Sequence, residues 1–225
     1  MKRVLLAVVG IIGTLAFAAS GSAATQNTVP PPMPNVTLVD QPFKCTNYPQ
    51  PLKLGTVKVT ITVNAPQPYD AIKLSGECSG SIARIEVDTW IADGVKVGDG
   101  AHDLTIGGGY IAAHAHGPEA HQDGIQVMGG ARITFSNLLV NVPSSNNAAL
   151  FINGDNMPTD VVCDHCMLVP GNKAAQIGHS VRSGIRNSVI YSGKRLVSIG
   201  DGAVDPVSDN NIYPDGSWPS TTGGF

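Results

Sequence analysis

The chain has 225 residues, with 14 Lys and Arg against 17 Asp and Glu and a formal net charge of −3. Nucleic acid binding needs a basic face, so this balance argues against a nucleic acid partner. Glycine is abundant, charged residues make up only 14 %, and long hydrophobic patterns of helical period are absent. The composition favours an all-β protein with many turns.

The first 24 residues have the features of a secretory signal peptide. Lys2 and Arg3 precede a short apolar stretch, residues 4–19, and small residues follow at 22–24. A membrane span would be longer, although an uncleaved anchor is the alternative. Cleavage after Ala24 would leave 225 − 24 = 201 residues, with 12 basic against 17 acidic residues. We therefore expect a secreted chain, extracellular or periplasmic, that is monomeric and has no membrane partner.

Four segments follow from the patterning. They are the signal peptide (1–24), a proline-rich leader and amino-terminal cap (25–56), a repetitive domain (57–213) and a carboxyl-terminal tail (214–225). Trp218 in the tail is expected to cover the lower end of the domain, because an open strand edge promotes aggregation.

Four cysteines in a secreted chain suggest up to two disulfides. Cys45 and Cys78 could join the amino-terminal cap to the first repeat. Cys163 and Cys166 enclose Asp164 and His165, a spacing compatible with a disulfide, a redox pair or part of a zinc site.

Six segments of the domain share one pattern, in which a small residue precedes two alternating apolar residues and a glycine or turn. Their first apolar residues are 22 to 30 positions apart, and a second apolar patch follows each segment. This period indicates a solenoid, whose stacked coils bury a shared core. We predict a single-stranded right-handed parallel β-helix of six to seven coils. The six segments are AIKLSG (71–76), GVKVGD (94–99), GIQVMG (124–129), ALFING (149–154), AAQIGH (174–179) and LVSIGD (196–201).

A small or polar residue recurs two positions after the inward residue of the second apolar patch, at a bend between strands. The column is Gly108, Asn137, His165, Asn187 and Asn210, and we expect left-handed backbone there. Asp88 is a further candidate for this column in the first coil.

A column of acids precedes the first strands. Asp70, Asp93 and Asp123 lie two residues before their apolar positions, followed by Lys173 and Arg195 in later coils. One interpretation is that these aspartates cap turns. The other is a Ca²⁺ or acid–base site made by Asp93 and Asp123 with Glu119, since Ca²⁺ prefers oxygen ligands.

The longest coil carries an inserted loop between Ile111 and Asp123. It contains His114, His116, Glu119 and His121. The histidines could bind a metal together with Asp123, and His114, His116 and Glu119 could contact a substrate. Alternatively, His121 could act as a general base that is oriented by Asp123. Downstream, His179, Lys173, Arg182 and Arg186 suggest a groove with acids at one end and cations at the other.

The coil pattern, with HQDGIQV (121–127) and GGARITFSNLLV (129–140), resembles the pectin-lyase-like superfamily of β-helix proteins. The resemblance implies an extracellular polysaccharide ligand. His121-Gln122-Asp123-Gly124 is similar to the Asn-Thr-Asp-Gly motif of polygalacturonases, and Gly178-His179-Ser180 is faintly similar to their Gly-His-Gly motif. The family's Asp-Asp pair is replaced by Ser144-Ser145-Asn146-Asn147, and its Arg-Ile-Lys motif is missing.

Three hypotheses follow. The first is a protein that binds or cleaves an acidic polysaccharide, with lyase chemistry fitting better than glycoside hydrolysis if it is an enzyme. The second is a non-catalytic surface or envelope binding or structural β-helix, and the third is a His/Asp metal-binding protein. The predicted catalytic residues are His121, Asp123 and His179, the substrate-binding residues His114, His116, Glu119, Gln126, Lys173 and Arg182, and the metal ligands Asp93 and Asp123.

Overall fold

The computed structural model describes residues 32–66, 70–91, 93–114, 122–143, 147–191, 193 and 195–214. These residues form an all-β solenoid of about 6 turns with parallel sheets and almost no helix, as the composition and repeats predict. The expected signal peptide, the inserted loop with His116, Glu119 and His121, and Trp218 lie outside the described residues.

Nineteen strands and one 3-10 helix, η1 at Cys45–Asn47, make up the described chain. In chain order the strands are β1 Val36–Val39, β2 Phe43–Lys44, β3 Leu52–Ile61, β4 Ile72–Leu74, β5 Gly80–Thr89, β6 Val95–Val97, β7 His102–Ala113, β8 Ile125–Val127, β9 Ala131–Val142, β10 Ala148–Ile152, β11 Thr159–Asp164, β12 Met167–Pro170, β13 Lys173–Ile177, β14 Ser180–Val181, β15 Gly184–Arg186, β16 Val189–Ile190, β17 Arg195–Ile199, β18 Ala203–Val204 and β19 Val207–Asp209.

The strands form two sheets. Sheet B contains the seven short strands in the order β17-β13-β10-β8-β6-β4-β2, and sheet A contains the other twelve. Each turn of the solenoid adds one strand to sheet B and then one long or interrupted strand to sheet A. All named strand pairs are parallel, for example β6 with β8 and β7 with β9.

The core lies between the two sheets and consists of inward-facing apolar residues. In sheet B, the predicted first apolar positions pair one above another and thereby confirm the repeat register. All six side chains are 0–2 % exposed, because alternation in a strand points every second residue inward. They are Ile72, Val95, Ile125, Leu150, Ala175 and Val197.

The predicted bend column is also confirmed. Gly108, Asn137, His165, Asn187 and Asn210 all have φ between 51° and 55°, the left-handed region that glycine and asparagine tolerate best. Asp88 does not belong to this column. Ile85 pairs with Gly109 and Asp88 with Ala112 in the next turn, which puts Asp88 four residues beyond the bend.

The parallel pairing begins before residue 57. Val36 pairs with Val57, and Phe43 pairs with Ile72, so part of the expected leader and cap contributes strands to both sheets. The expected disulfide between Cys45 and Cys78 joins this first turn to the next. Cys163 and Cys166 form a second disulfide across the bend at His165.

Sheet B has two borders. The entry edge comprises the residues just before its strands and the first residues of β13 and β17, and the exit edge comprises the residues just after its strands. Within the described ranges, no helix is long and apolar enough to cross a membrane.

Candidate functional site

The acid column lies at the entry edge of sheet B. The backbone N–H of Asp123 donates to Asp93 Oδ1 at 2.8 Å, and the N–H of Ala148 donates to Asp123 Oδ1 at 2.8 Å. Each carboxylate thus binds the backbone of the following turn. The turn-capping interpretation of this column is supported, because the aspartates join consecutive coils where regular strand pairing begins.

Asp123 is completely buried and accepts two further hydrogen bonds at Oδ2. The donors are Gln126 Nε2 at 3.2 Å and Asn147 Nδ2 at 3.0 Å. The pKa of Asp123 is raised to about 7, mainly by burial and also by the charge of Asp93, while the three hydrogen bonds lower it in part. A carboxylate without solvent access cannot reach a polymer, so this placement does not support a catalytic role for Asp123.

Asp93 is 7 % exposed, and Lys96 Nζ lies 3.9 Å from its Oδ2. Burial raises the pKa of Asp93 to about 6, with Asp70 adding to the rise and the bond from Asp123 and the charge of Lys96 opposing it. A Ca²⁺ site needs six to eight oxygen ligands. Backbone and amide donors already occupy the oxygens of Asp123 and one oxygen of Asp93. The third predicted ligand, Glu119, lies outside the described residues, so the Ca²⁺ site stays a prediction.

The described residues contain no group of three or more His, Cys, Asp or Glu side chains that could hold a metal ion. The predicted cluster of His114, His116 and His121 stays a prediction, because two of its members lie outside the described residues.

The structure does not bring His179 to the acid column. Asp123 lies at the entry edge before β8, whereas His179 lies at the exit edge after β13, two turns further on. A strand of this length and two turns separate them by roughly 15–20 Å. His179 is exposed and its ring packs on Gly202. A catalytic pair of Asp123 and His179 is therefore not supported.

Arg182 is also remote from the acid column, and its charge is already compensated. Its guanidinium donates to both carboxylate oxygens of Asp160 at 2.7 and 2.8 Å. Arg186 is similarly bound to Asp164 Oδ2 by two nitrogens at 3.0 and 2.9 Å. The expected groove that combined Lys173 with Arg182 and Arg186 is corrected, because these arginines lie on sheet A and pair with the coil above.

The outer surface of sheet B has a different composition. Parallel register stacks one outward side chain from each strand into a single column, which we call the sheet B column. Neighbouring members are separated by about 4.8 Å, the distance between paired strands. From top to bottom the column is Lys44, Lys73, Lys96, Gln126, Phe151, Gln176 and Ser198.

Cations dominate the upper part of this column. Lys44 and Lys73 are exposed and Lys96 is half-buried. Among the described residues, no carboxylate lies within 4.0 Å of the amines of Lys44 and Lys73. Lys173 and Arg195 at the entry edge add two positive charges beside the lower turns.

The two glutamines of the column are held by charged neighbours at the entry edge. Gln126 Nε2 donates to Asp123 Oδ2, and Gln176 Oε1 accepts from Lys173 Nζ at 2.5 Å. Phe151 lies between the two glutamines and is half-buried. Gln126 and Lys173, two of the predicted substrate-binding residues, thus belong to one surface of the molecule.

A second group of side chains lies on the far side of the entry edge, where sheet A ends. The Trp90 and His114 rings stack with centroids 4.2 Å apart and planes inclined by 15°. His114 Nε2 lies 3.0 Å from Asp88 Oδ1. We call Asp88, Trp90 and His114 the aromatic corner. Of this group, sequence analysis identified only His114 as a ligand contact.

The exit edge contains a shallow cleft of about 670 Å³ lined by Glu77, His102, Arg132 and Asn156 among others. Its polar groups bind one another. Arg132 donates to Asp103 at 2.6 and 2.8 Å, and Asn156 Nδ2 donates to Asp99 at 2.7 Å. His102 Nδ1 also lies 2.9 Å from Asp103. These groups are already paired, which makes the cleft a weaker candidate than the sheet B column.

Sequence reasoning missed Phe151 and Trp90. Phe151 could have been found, because it is the outward residue of the fourth repeat segment, in register with Lys73, Lys96 and Gln126. Trp90 had no comparable signal, since its contact with His114 depends on how two sheet A strands end.

Comparison with known proteins adds no family to this description: no protein-family model, no curated protein and no solved structure matches the chain. The resemblance to the pectin-lyase-like superfamily is therefore supported as far as the parallel β-solenoid and no further.

Proposed function

We propose that this chain is an extracellular binding protein for an acidic polysaccharide, and that the polymer lies along the sheet B column. The observation that carries the proposal is the column itself, which places three lysines, two glutamines and one phenylalanine in register on the outer face of sheet B. Lys44 and Lys73 are exposed, Lys96, Gln126 and Phe151 are half-buried, and Gln176 is 8 % exposed. An extracellular location is supported by the signal-like first 24 residues and the two disulfides, since disulfides persist in oxidising compartments.

The charge distribution supports an anionic ligand. The chain as a whole carries −3, yet Lys44, Lys73, Lys96, Lys173 and Arg195 together place five positive charges on or beside this face. The three aspartates of the entry edge oppose them. Burial raises the pKa of all three, and at Asp123 it raises the pKa to about 7, so the negative charge of Asp123 is reduced near neutral pH. A cationic face attracts anionic ligands even when the protein as a whole carries a negative net charge.

The side-chain types below the lysines suit a sugar chain. Amide N–H groups donate to hydroxyl groups, and an aromatic ring packs against the apolar face of a pyranose. The amide oxygens are not available to a sugar, because Gln126 Oε1 is buried and Gln176 Oε1 accepts from Lys173. One side chain per turn, repeated at about 4.8 Å, also offers regularly spaced contacts to a regularly repeating polymer. A uronic acid polymer combines carboxylates, hydroxyls and apolar ring faces, and so matches each part of the column.

Binding without cleavage is the function that the carboxylates favour. Elimination and hydrolysis both need a group that reaches the scissile bond. The two carboxylates nearest the column, Asp93 and Asp123, are 7 % and 0 % exposed and bind backbone N–H groups. These carboxylates therefore give no support to hydrolysis or to acid–base chemistry at this face, and the proposal is binding alone.

The test is binding to polygalacturonate, measured by calorimetry or on an immobilised polymer. The double variant Lys73→Glu with Lys96→Glu is expected to weaken binding by about 2 kcal/mol, or about thirtyfold, since each reversal removes one attraction and adds one repulsion. Raising the salt concentration to 1 M should weaken wild-type binding as well, because the screening length falls from about 10 to about 3 Å.

The matched control makes the same charge change on the other sheet. Lys53 and Lys58 are exposed on β3 of sheet A, and their replacement by Glu should leave the affinity within about twofold. Equal losses in both double variants would show a non-specific charge effect, and absence of wild-type binding to any polyuronate would overturn the proposal.

A further inference from the structure

The aromatic corner contains an exposed indole in a fixed position. Trp90 is 40 % exposed, and it is one of two tryptophans in the chain. Exposing a large aromatic ring is unfavourable, because burying such a ring normally stabilises a fold substantially. An aromatic ring that is partly accessible at the surface can contact a ligand.

Three sets of contacts hold this ring. The backbone N–H of Trp90 donates to Ile61 O at 3.0 Å, and that of His114 donates to Thr89 O at 2.8 Å, so both residues continue the pairing of sheet A. The imidazole covers one face of the indole with ring centroids 4.2 Å apart, and His114 Nε2 lies 3.0 Å from Asp88 Oδ1. The indole is thus positioned before any ligand arrives, which lowers the entropy lost on binding.

The surroundings define the kind of ligand. The imidazole covers one face of the indole, and 40 % of Trp90 stays exposed next to Asp88. The side chain of Asp88 is 42 % exposed and accepts hydrogen bonds but repels carboxylates. A flat apolar surface next to a hydrogen-bond acceptor suits a neutral pyranose, which has an apolar ring face and hydroxyl donors at its rim.

We infer that Trp90 is the stacking platform of a second saccharide subsite, specific for a neutral sugar residue and positioned by His114 and Asp88. The inference rests on the proposed polysaccharide-binding function and extends it. The sheet B column contacts the charged polymer, whereas the aromatic corner, across the entry edge from it, contacts a neutral unit or branch. His114 is a positioning residue here, since it acts through the indole.

The first measurement is Trp90 fluorescence in a Trp218→Phe background, titrated with neutral galacto-, manno-, xylo- and gluco-oligosaccharides. At least one of these sugars should shift the Trp90 emission to shorter wavelength in a saturable way. In calorimetry with that sugar, Trp90→Ala should lower the affinity about tenfold, and Trp90→Phe should keep most of it, because a smaller ring still stacks.

Replacement of His114 separates positioning from contact with the sugar. His114→Ala should weaken binding about threefold to tenfold, and His114→Phe should restore it, since a phenyl ring can still support the indole. Circular dichroism spectra identical to wild type would show that the variants remain folded. Failure of the phenylalanine variant to restore binding would contradict the positioning role.

The outcomes separate this inference from the proposed function. The Lys73→Glu, Lys96→Glu variant should lose polygalacturonate while keeping the neutral sugar at Trp90. If no neutral oligosaccharide changes the Trp90 emission while polygalacturonate still binds, the subsite is refuted and the sheet B proposal stands. If the neutral sugar binds and no polyuronate does, the subsite stands and the sheet B proposal is refuted.

Discussion

The ionisation of Asp123 should control the pH dependence of folding stability. Its side chain is 0 % exposed, and burial raises its pKa from 3.8 to about 7. A carboxyl group with a raised folded-state pKa stabilises the fold fully below its unfolded pKa, and this contribution is lost as pH rises through the folded pKa. The wild type should therefore be less stable at pH 8.5 than at pH 4.5 through this residue.

The size of the effect follows from the shift. A change of about three pKa units, at about 1.4 kcal/mol each, corresponds to on the order of 4 kcal/mol in total. Between pH 4.5 and 8.5 the free energy of unfolding should fall by on the order of 3 kcal/mol. The remaining difference lies below pH 4.5, where the unfolded carboxyl also takes up its proton.

Asp123→Asn removes the titrating group and keeps an oxygen that can accept the N–H of Ala148. Urea unfolding followed by circular dichroism should be compared for wild type and variant at pH 4.5, 6.5 and 8.5. The difference in free energy of unfolding should shift in favour of the variant by on the order of 3 kcal/mol as pH rises. The exposed Asp201→Asn serves as control. Parallel pH profiles for wild type and Asp123→Asn would refute the reasoning.

Three further predictions concern the frame of the solenoid. Cys78→Ser opens a disulfide across 33 residues and should lower the free energy of unfolding by about 4 kcal/mol. Cys166→Ser opens a disulfide across 3 residues and should lower it by about half as much, because a shorter loop restricts the unfolded chain less. Both changes are measured by urea unfolding. Asn187→Gly should lower the thermal midpoint less than Asn187→Val does. Both variants lose the hydrogen bonds with Asp164 and Asn210, but only valine is strained at φ 51°. Gly109→Ala should give little folded protein by circular dichroism, because φ is 107° and an added Cβ would overlap Ile85 O.

The fold could be predicted because each turn repeats the same constraints. Inward positions such as Ile125 and Val197 must be apolar in every coil, and bend positions such as Asn187 must tolerate positive φ. These requirements recur at every turn, so the sequence shows them as periodic columns. Asp88 was misassigned because it pairs with Ala112, which lies four residues after Gly108.

The site was harder to predict, since residue type does not determine access. Asp123 has the residue type and spacing of a catalytic acid, yet its carboxylate faces the backbone of the next turn. Arg182 has the charge that an acidic ligand needs, yet Asp160 already binds it at both oxygens. The contact between Trp90 and His114 joins two different turns and leaves no pattern along the chain.

The most direct test of the account is to observe where polygalacturonate contacts the protein. Chemical-shift changes in nuclear magnetic resonance spectra, recorded during titration with oligogalacturonates, locate the contact residue by residue. The account predicts that the changes follow one line across the turns, at Lys73, Lys96, Gln126, Phe151 and Gln176. Changes confined to the outer face of sheet A or to the exit-edge cleft, with these five residues unaffected, would contradict it.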